Sequence, residues 1–180
     1  MKGKNDPIYF ADATHPQHNR IPSYGWIKKG REKELKANCG RQRLNINGAI
    51  NIDTLEPTTG FYDTINADPA IDLFRKIETR HPYAQAIYII VDNARYYRSR
   101  LLKKYIQGTK IKLLFLPPYS PNLNLIERYG KFFKKKVLNN RYYKTFEEFK
   151  WACESFFRKR KKYLPELQTL LTEKFHIQAA

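Results

Sequence analysis

Acidic residues are scarce in this 180-residue chain: 17 Asp and Glu stand against 34 Lys and Arg, for a net charge of +17. A compact domain that basic repels itself unless a polyanion is near, and nucleic acid rewards each positive contact through counterion release. A merely basic protein is the plainer reading, which composition alone leaves open. No basic amphipathic anchor at either end points to an anionic membrane. Cysteine is scarcer still. Cys39 and Cys153 are the two present, neither in a CxxC, so a disulfide framework is excluded and a reduced intracellular setting fits. No apolar run approaches the ~20 residues of a membrane span. The opening MKGKNDPIYF lacks the long apolar region of a signal peptide. Cytoplasm, or the nucleoid, is the expected location. There are no repeats and no low-complexity segments.

What is present is one domain's worth of apolar and aromatic side chains, with 13 Tyr, 11 Phe and 2 Trp. IYFAD (8–12) reads as a strand ending on Asp12. Residues 13–41 read as loop, with a possible short strand at Tyr24–Ile27. RLNINGAINI (43–52) alternates as a strand with one side in a core. EPTTG (56–60) reads as a turn, with FYDTI (61–65) as its hairpin partner. Helical spacing follows over 69–80, where Ile71, Phe74 and Ile77 form a stripe with Leu73 beside them. AIYIIV (86–91) is an apolar run suited to a central strand. Residues 98–107 read as helical, and IKLLFL (111–116) as another buried strand, stopped by Pro117 and Pro118.

A helix is expected from about Leu123 to Leu138, with Ile126, Tyr129, Phe133 and Val137 on its apolar face. Another begins at Thr145, where Thr145 and Glu148 match a capping box. Phe146, Phe149, Cys153, Phe156 and Phe157 form its buried stripe. The order β-β-β-α-β-α-β-α-α predicts an α/β fold, a mixed sheet flanked by helices. The whole of 1–180 reads as one domain, with a core over about 7–140 and C-terminal helices over about 145–175.

Two of the apolar strands end on an aspartate, Asp12 and Asp92, and sheets of this kind place ligands at the carboxyl ends of strands. Glu127 lies one turn into the helix after the next strand, so all three acids are expected to meet. Like carboxylates repel, and a hard divalent cation converts that repulsion into coordination. Two such ions serve phosphodiester chemistry. Singly, each acid has a plainer reading: an Asp after a strand is usually a turn or cap residue, and Glu127 could simply pair with Lys131 at i+4.

VDNARYY (91–97) followed by LPPYSPNLNLIER (116–128) resembles the signature of mariner-superfamily transposases, in particular the bacterial insertion-sequence branch. In that branch 34 residues separate the second Asp from the Glu, and 34 lie between Asp92 and Glu127 here. FADATHPQHN (10–19), YGWIKKG (24–30) and GRQRLNINGAI (40–50) look like the same family's earlier blocks. The resemblance implies a ribonuclease-H-like fold and an Asp-Asp-Glu triad of Asp12, Asp92 and Glu127. It also implies Mg²⁺ or Mn²⁺ as cofactor, two ions in number. The activity implied is transposition: cleavage of transposon ends and strand transfer into target DNA, by a homodimer on DNA.

This chain departs from the family pattern at Tyr97 (often His), Leu125 (commonly Pro) and Gly130 (usually Trp). Family members also carry helix-turn-helix modules before this domain. None is expected in this chain, which suggests a separate helix-turn-helix polypeptide as partner. The DNA-contact candidates are Asn93, Arg95, Arg128, Lys131, Lys134 and Lys135, although a charge run is usually a solvated face. His15 and His18 are spaced like metal ligands without a second pair, so structural or DNA-proximal roles are favoured over zinc. Tyr119 and Ser120 are expected to shape the loop leading to Glu127. Two further readings fit the same residues: a ribonuclease-H-like nuclease or resolvase, and an inactive DNA-binding transposase remnant.

Overall fold

The computed structural model describes residues 6–19, 28–30, 42–118 and 124–171. The possible strand at Tyr24–Ile27, and Tyr119 and Ser120, lie outside the described residues. Five strands form one mixed sheet: β1 (Ile8–Thr14), β2 (Asn45–Asn51), β3 (Pro57–Tyr62), β4 (Ile87–Val91) and β5 (Ile111–Phe115). Their spatial order is β3-β2-β1-β4-β5. The first three pair antiparallel, and β4 and β5 then join parallel to β1.

Helices cover both faces. α1 (Ala67–Arg80), a 3-10 turn (Arg95–Arg98) and α2 (Arg100–Gln107) pack on one side, where Tyr9, Ala11, Ala49, Ile87, Ile89 and Val91 point. On the other side α3 (Leu125–Val137), α4 (Phe146–Arg158) and α5 (Arg160–Leu170) close over Phe10, Leu44, Ile46 and Ile50. Strand alternation therefore sorts β1 residue by residue: Tyr9 and Ala11 face α1, while Phe10 and the residue two further on face α3. Among the described residues no helix is long and apolar enough to cross a membrane.

Capping polar groups start the helices. The Asn66 side chain accepts from the Asp68 N–H at 2.9 Å, and Ser99 does the same for Leu102 at 3.2 Å. Thr145 Oγ1 accepts from Glu148 N at 3.2 Å, as the capping box predicts. In return the Glu148 carboxylate accepts from the Lys144 N–H, one residue earlier than expected, at 2.9 Å.

Four expectations need correction. The turn placed at 56–60 lies earlier. Asn51 Oδ1 accepts from Asp53 N and Thr54 N, and Leu55 takes a positive φ of 54°, so the chain has reversed before Pro57. Thr58 and Thr59 are then β-branched strand residues, and Asp63–Ile65 falls beyond β3. Next, β2 is buried on both faces. Its asparagines are hydrogen-bonded into the second face: Asn47 Nδ2 donates to Pro69 O at 3.2 Å, and Asn45 Oδ1 meets His15 Nδ1 at 2.8 Å.

β5 is a sheet edge rather than a buried strand, with Leu114 and Phe115 exposed, because among the described residues it pairs with β4 alone. Finally, among the described residues three helices follow β5, since the helix breaks at Lys159 and resumes as α5.

Candidate active site

Register places the two aspartates. β1 and β4 run parallel with Phe10 opposite Ile90 and Ala11 opposite Val91. Asp12 and Asp92 are the next residues along each chain. They share the alternation of Phe10 and Ile90, both of which pack into the α3-side core. Across β2 the residue opposite Asp12 is Gly48, which leaves the space beside the carboxylate open. α3 lies over this end of the sheet. Ile126, Tyr129 and Phe133 sink into the core, and Glu127 stands half-buried at the margin beside them.

Electrostatics show that these acids are neighbours. Burial above all, and then the charges of Asp92 and Glu127, push the Asp12 carboxyl up to about 7 from its ordinary 3.8. The Ala13 N–H, which donates to Asp12 Oδ1 at 2.7 Å, and Lys134 on α3 pull the other way. Tyr96 lies against the same pair. Burial, with Asp92 and Asp12 adding to it, pushes its hydroxyl up to about 12.

The side chains do not close into one tight cluster. Among the described residues no three His, Cys, Asp or Glu groups stand close enough together to hold an ion. Asp12 turns one oxygen to Ala13 N, and Asp92 Oδ1 accepts from Ala94 N at 3.0 Å. The expected meeting of three acids is thus realised as electrostatic neighbourhood and not as mutual contact. The donor set nonetheless suits a hard divalent cation. It consists of carboxylate oxygens only, and Asp12 sits where negative charge is poorly compensated.

Two cavities open at Asp12. One, of about 500 Å³, lies between Asp12 and Asp92 and is bordered by His15, Arg43, Asp63 and Tyr96. The other, of about 270 Å³, lies between Asp12 and Glu127 under α3. Lys131 and Lys134 border the second cavity and are exposed, as is Lys135 on the same helix. Among the described residues Glu127 makes no ion pair with Lys131, so the surface-pair reading of that acid does not hold. Arg128 is half-buried.

Asn93 is exposed and tied into its own loop: its Nδ2 donates to Leu116 O at 2.9 Å and its Oδ1 accepts from Arg98. Arg95 projects from the 3-10 turn, exposed. The histidines divide. His18 is buried, its Nε2 against Tyr143 O at 2.9 Å and its ring stacked on Phe149, which is a structural role. His15 borders the cavity that holds the two aspartates.

Arg43 and Tyr96 border the site without having been singled out from the sequence. Tyr96 follows Asp92 by four residues and Arg43 opens the β2 block, yet only the closing of the sheet brings both to Asp12. The three departures from the family pattern each have a visible setting. Tyr97 is buried and stacked parallel to Phe74, with ring centroids 6.2 Å apart. Leu125 is buried as the first residue of α3. Gly130 borders the smaller cavity, and a Cβ built there would meet nothing within 4 Å.

A curated relative is the insertion element IS630 uncharacterized 39 kDa protein of Shigella sonnei. It is 22% identical over 123 residues, covering 68% of this chain and 36% of the relative. Among solved structures, the Mos1 mariner paired end complex with Mn superposes with a TM-score of 0.65 at 16% identity, over 91% of this chain and 52% of that one. The Mos1 transposase paired-end complex with left transposon end gives 0.67 at 15% identity, over 96% and 57%. At such identities the likeness establishes a shared ribonuclease-H-like fold. This chain therefore spans about a third of the curated relative's length and just over half of the Mos1 chains. Residues 7–150 match the family described as DDE superfamily endonuclease, a span that runs from the start of β1 into α4 and takes in Asp12, Asp92 and Glu127. The chain belongs to the DDE superfamily endonucleases.

Proposed function

We propose that this chain is the catalytic domain of a DNA transposase, cutting transposon ends and joining them to target DNA. The observation that carries the reading is the placement of Asp12 and Asp92 on adjacent parallel strands, with Glu127 of α3 felt at the Asp12 carboxyl. Asp12, Asp92 and Glu127 would hold Mg²⁺ or Mn²⁺, two ions in number. When bound, the ions lower the pKa of an attacking water or 3′-hydroxyl and neutralise the oxygen that leaves. Phosphoryl transfer needs little else from the protein than positioning and charge. Lys131, Lys134, Lys135, Arg128, Arg95 and Asn93 would hold the DNA backbone on either side of the acids.

Water attacks a phosphorus at the transposon end, the P–O3′ bond breaks, and a 3′-hydroxyl is freed. That hydroxyl then attacks a target phosphorus and displaces the target's 3′-oxygen. No Ser or Tyr is needed as a nucleophile, so no covalent protein–DNA intermediate forms. Transposition joins two ends, so the acting species is a homodimer on DNA. A helix-turn-helix module of the kind the resemblance implies would supply end recognition, and the reaction would take place in the cytoplasm at the nucleoid.

The test is nicking of supercoiled plasmid with Mn²⁺, followed by strand transfer with pre-cut ends. Nicking and joining are expected. Nicking without joining would make the protein a nuclease or resolvase, and retention of DNA with neither would leave a binding remnant.

A further inference from the structure

The polar cavity between Asp12 and Asp92 carries two side chains that the three acids leave unused, His15 and Arg43. Both come from a short ribbon that prolongs the pairing of β1 with β2. His18 N donates to Gln42 O at 2.8 Å, Leu44 N donates to Pro16 O at 2.9 Å, and Gln17 bridges antiparallel to Arg43. Thr14 stands opposite Ile46, so the same register sets His15 opposite Asn45 and puts Arg43 on the same face of the ribbon. Both side chains are exposed at the border of a cavity of about 500 Å³.

The tautomer of His15 follows from its neighbour. Asn45 is buried, and its Nδ2 donates to Asp63 O, a carbonyl that can only accept. The amide oxygen is therefore the atom that meets His15 Nδ1 at 2.8 Å, so Nδ1 carries the proton. In the neutral ring Nε2 is then a bare lone pair, and no described residue bonds to it. Such a nitrogen accepts from a hydroxyl and rejects a phosphate oxygen, which has no proton to give. Arg43, which makes no ion pair among the described residues, offers the complementary contact, a planar fork that suits phosphate.

We propose that His15 and Arg43 hold the 3′ end of a cut DNA strand, with His15 Nε2 accepting from the terminal 3′-hydroxyl and the Arg43 guanidinium on the adjacent phosphate. The inference rests on the reading of the chain as a domain that cuts and joins DNA. The last nucleotide of such a strand carries a hydroxyl that donates and, on the same sugar, a phosphate that only accepts. The ribbon matches that order with one acceptor and one cation on one face. Asp12 and Asp92 border the same cavity, so a hydroxyl held by His15 stays beside the acids between cutting and joining. Fixing its place before attack is a gain in rate that positioning alone supplies.

The experiment titrates the full chain, in Ca²⁺, with a short strand ending in a 3′-hydroxyl and with the same strand ending in a 2′,3′-dideoxynucleotide. The two carry equal phosphates, so their difference reads the hydroxyl alone. Wild type is expected to prefer the hydroxyl end roughly threefold to tenfold, the range of one hydrogen bond. His15→Ala should lose the preference, and Arg43→Ala should weaken both strands alike and keep it. Equal affinity in wild type, a preference that survives in His15→Ala, or no weakening by Arg43→Ala overturns the proposal. Imidazole ¹⁵N resonances of wild type give a readout that needs no variant. His15 should show a protonated Nδ1 and a bare Nε2, and Nε2 should shift with the hydroxyl strand but not with the dideoxy strand. A proton on Nε2 of the free neutral ring, or an Nε2 that shifts on Mg²⁺ alone, overturns it too. Plasmid nicking and strand transfer with Mn²⁺ run in parallel. Joining by wild type with equal affinity for the two strands sinks the assignment alone, whereas the absence of both nicking and joining sinks the reading beneath it.

Discussion

Asp12 is the residue on which the site turns. Folding raises its carboxyl from 3.8 to about 7, chiefly by burial. The folded chain therefore keeps a proton that the unfolded chain has released, over the window from about pH 4 to about pH 7. Stability falls with rising pH through that window and levels off above it. At 1.36 kcal/mol per pKa unit the ionised carboxyl costs the cation-free fold on the order of 4 kcal/mol. Asp12→Asn, neutral at every pH, should melt higher than wild type in EDTA at pH 8, by roughly 5 °C or more for a chain of this size. At pH 4 the two should melt nearly together, and calorimetry at both values checks it.

Asp92→Asn tests the chemistry instead. It should abolish Mn²⁺-dependent nicking and leave DNA binding in EDTA unchanged or slightly tighter, because one charge that repels phosphate is gone. A variant that nicks at the wild-type rate would remove Asp92 from the mechanism. One that melts far lower without metal would make it a structural residue.

At the scale of elements, α3 both seals one core and carries Glu127. Tyr129, Phe132, Phe133 and Val137 are buried on it, and Lys136 pairs with Glu166 of α5 at 2.7 Å. An ion pair between Arg160 and Glu56 ties α5 to the turn between β2 and β3, so one pair joins two helices of the layer and the other joins the layer to the sheet. Exposed pairs of this kind contribute little each, and the apolar face does most of the holding. Gly130 is the weak place in α3. Gly130→Ala puts a methyl group into open space, so it should stabilise by about 0.5–1 kcal/mol and raise the melting temperature by roughly 1–4 °C. A lower melting temperature would mean that the helix is bent or crowded there. Thr145→Ala removes the cap of α4 and should cost about 1 kcal/mol in a denaturant titration.

For the whole molecule the governing quantity is charge. A net +17 on 180 residues favours any polyanion, and phosphate contacts carry no base information. Binding of this chain to duplex DNA should be nearly independent of sequence and fall steeply with salt. Titrating a terminal repeat and a scrambled duplex at two salt concentrations checks this. A large preference for one duplex would place the specificity element within these residues. Replacing Lys131 and Lys134 together with Ala should lower the slope of log affinity against log salt by roughly one for each phosphate no longer neutralised.

Much of this was legible along the chain, because it depends on local periodicity and spacing. The strands at Asp12 and Asp92 and the stripes of α1, α3 and α4 follow from apolar runs and helical repeat, which neighbouring residues dictate, while the interval to Glu127 is legible through the family resemblance. What failed did so where side-chain hydrogen bonds or distant residues decide. The reversal between β2 and β3 moved because the Asn51 side chain caps residues two and three further on. The second face of β2 is buried because α1 returns to cover it, and β5 is exposed because it lies at the edge of the sheet that the described residues form. The high pKa of Asp12, the approach of Tyr96 and Arg43, and the cavity beside Gly130 exist only once parallel pairing brings β4 beside β1 and α3 crosses their ends. Residue identity determined which acids are present and on which elements they lie. Their mutual field, and the space left between them, belong to the packed sheet, since burial and charge proximity are properties of three-dimensional neighbours and not of sequence neighbours.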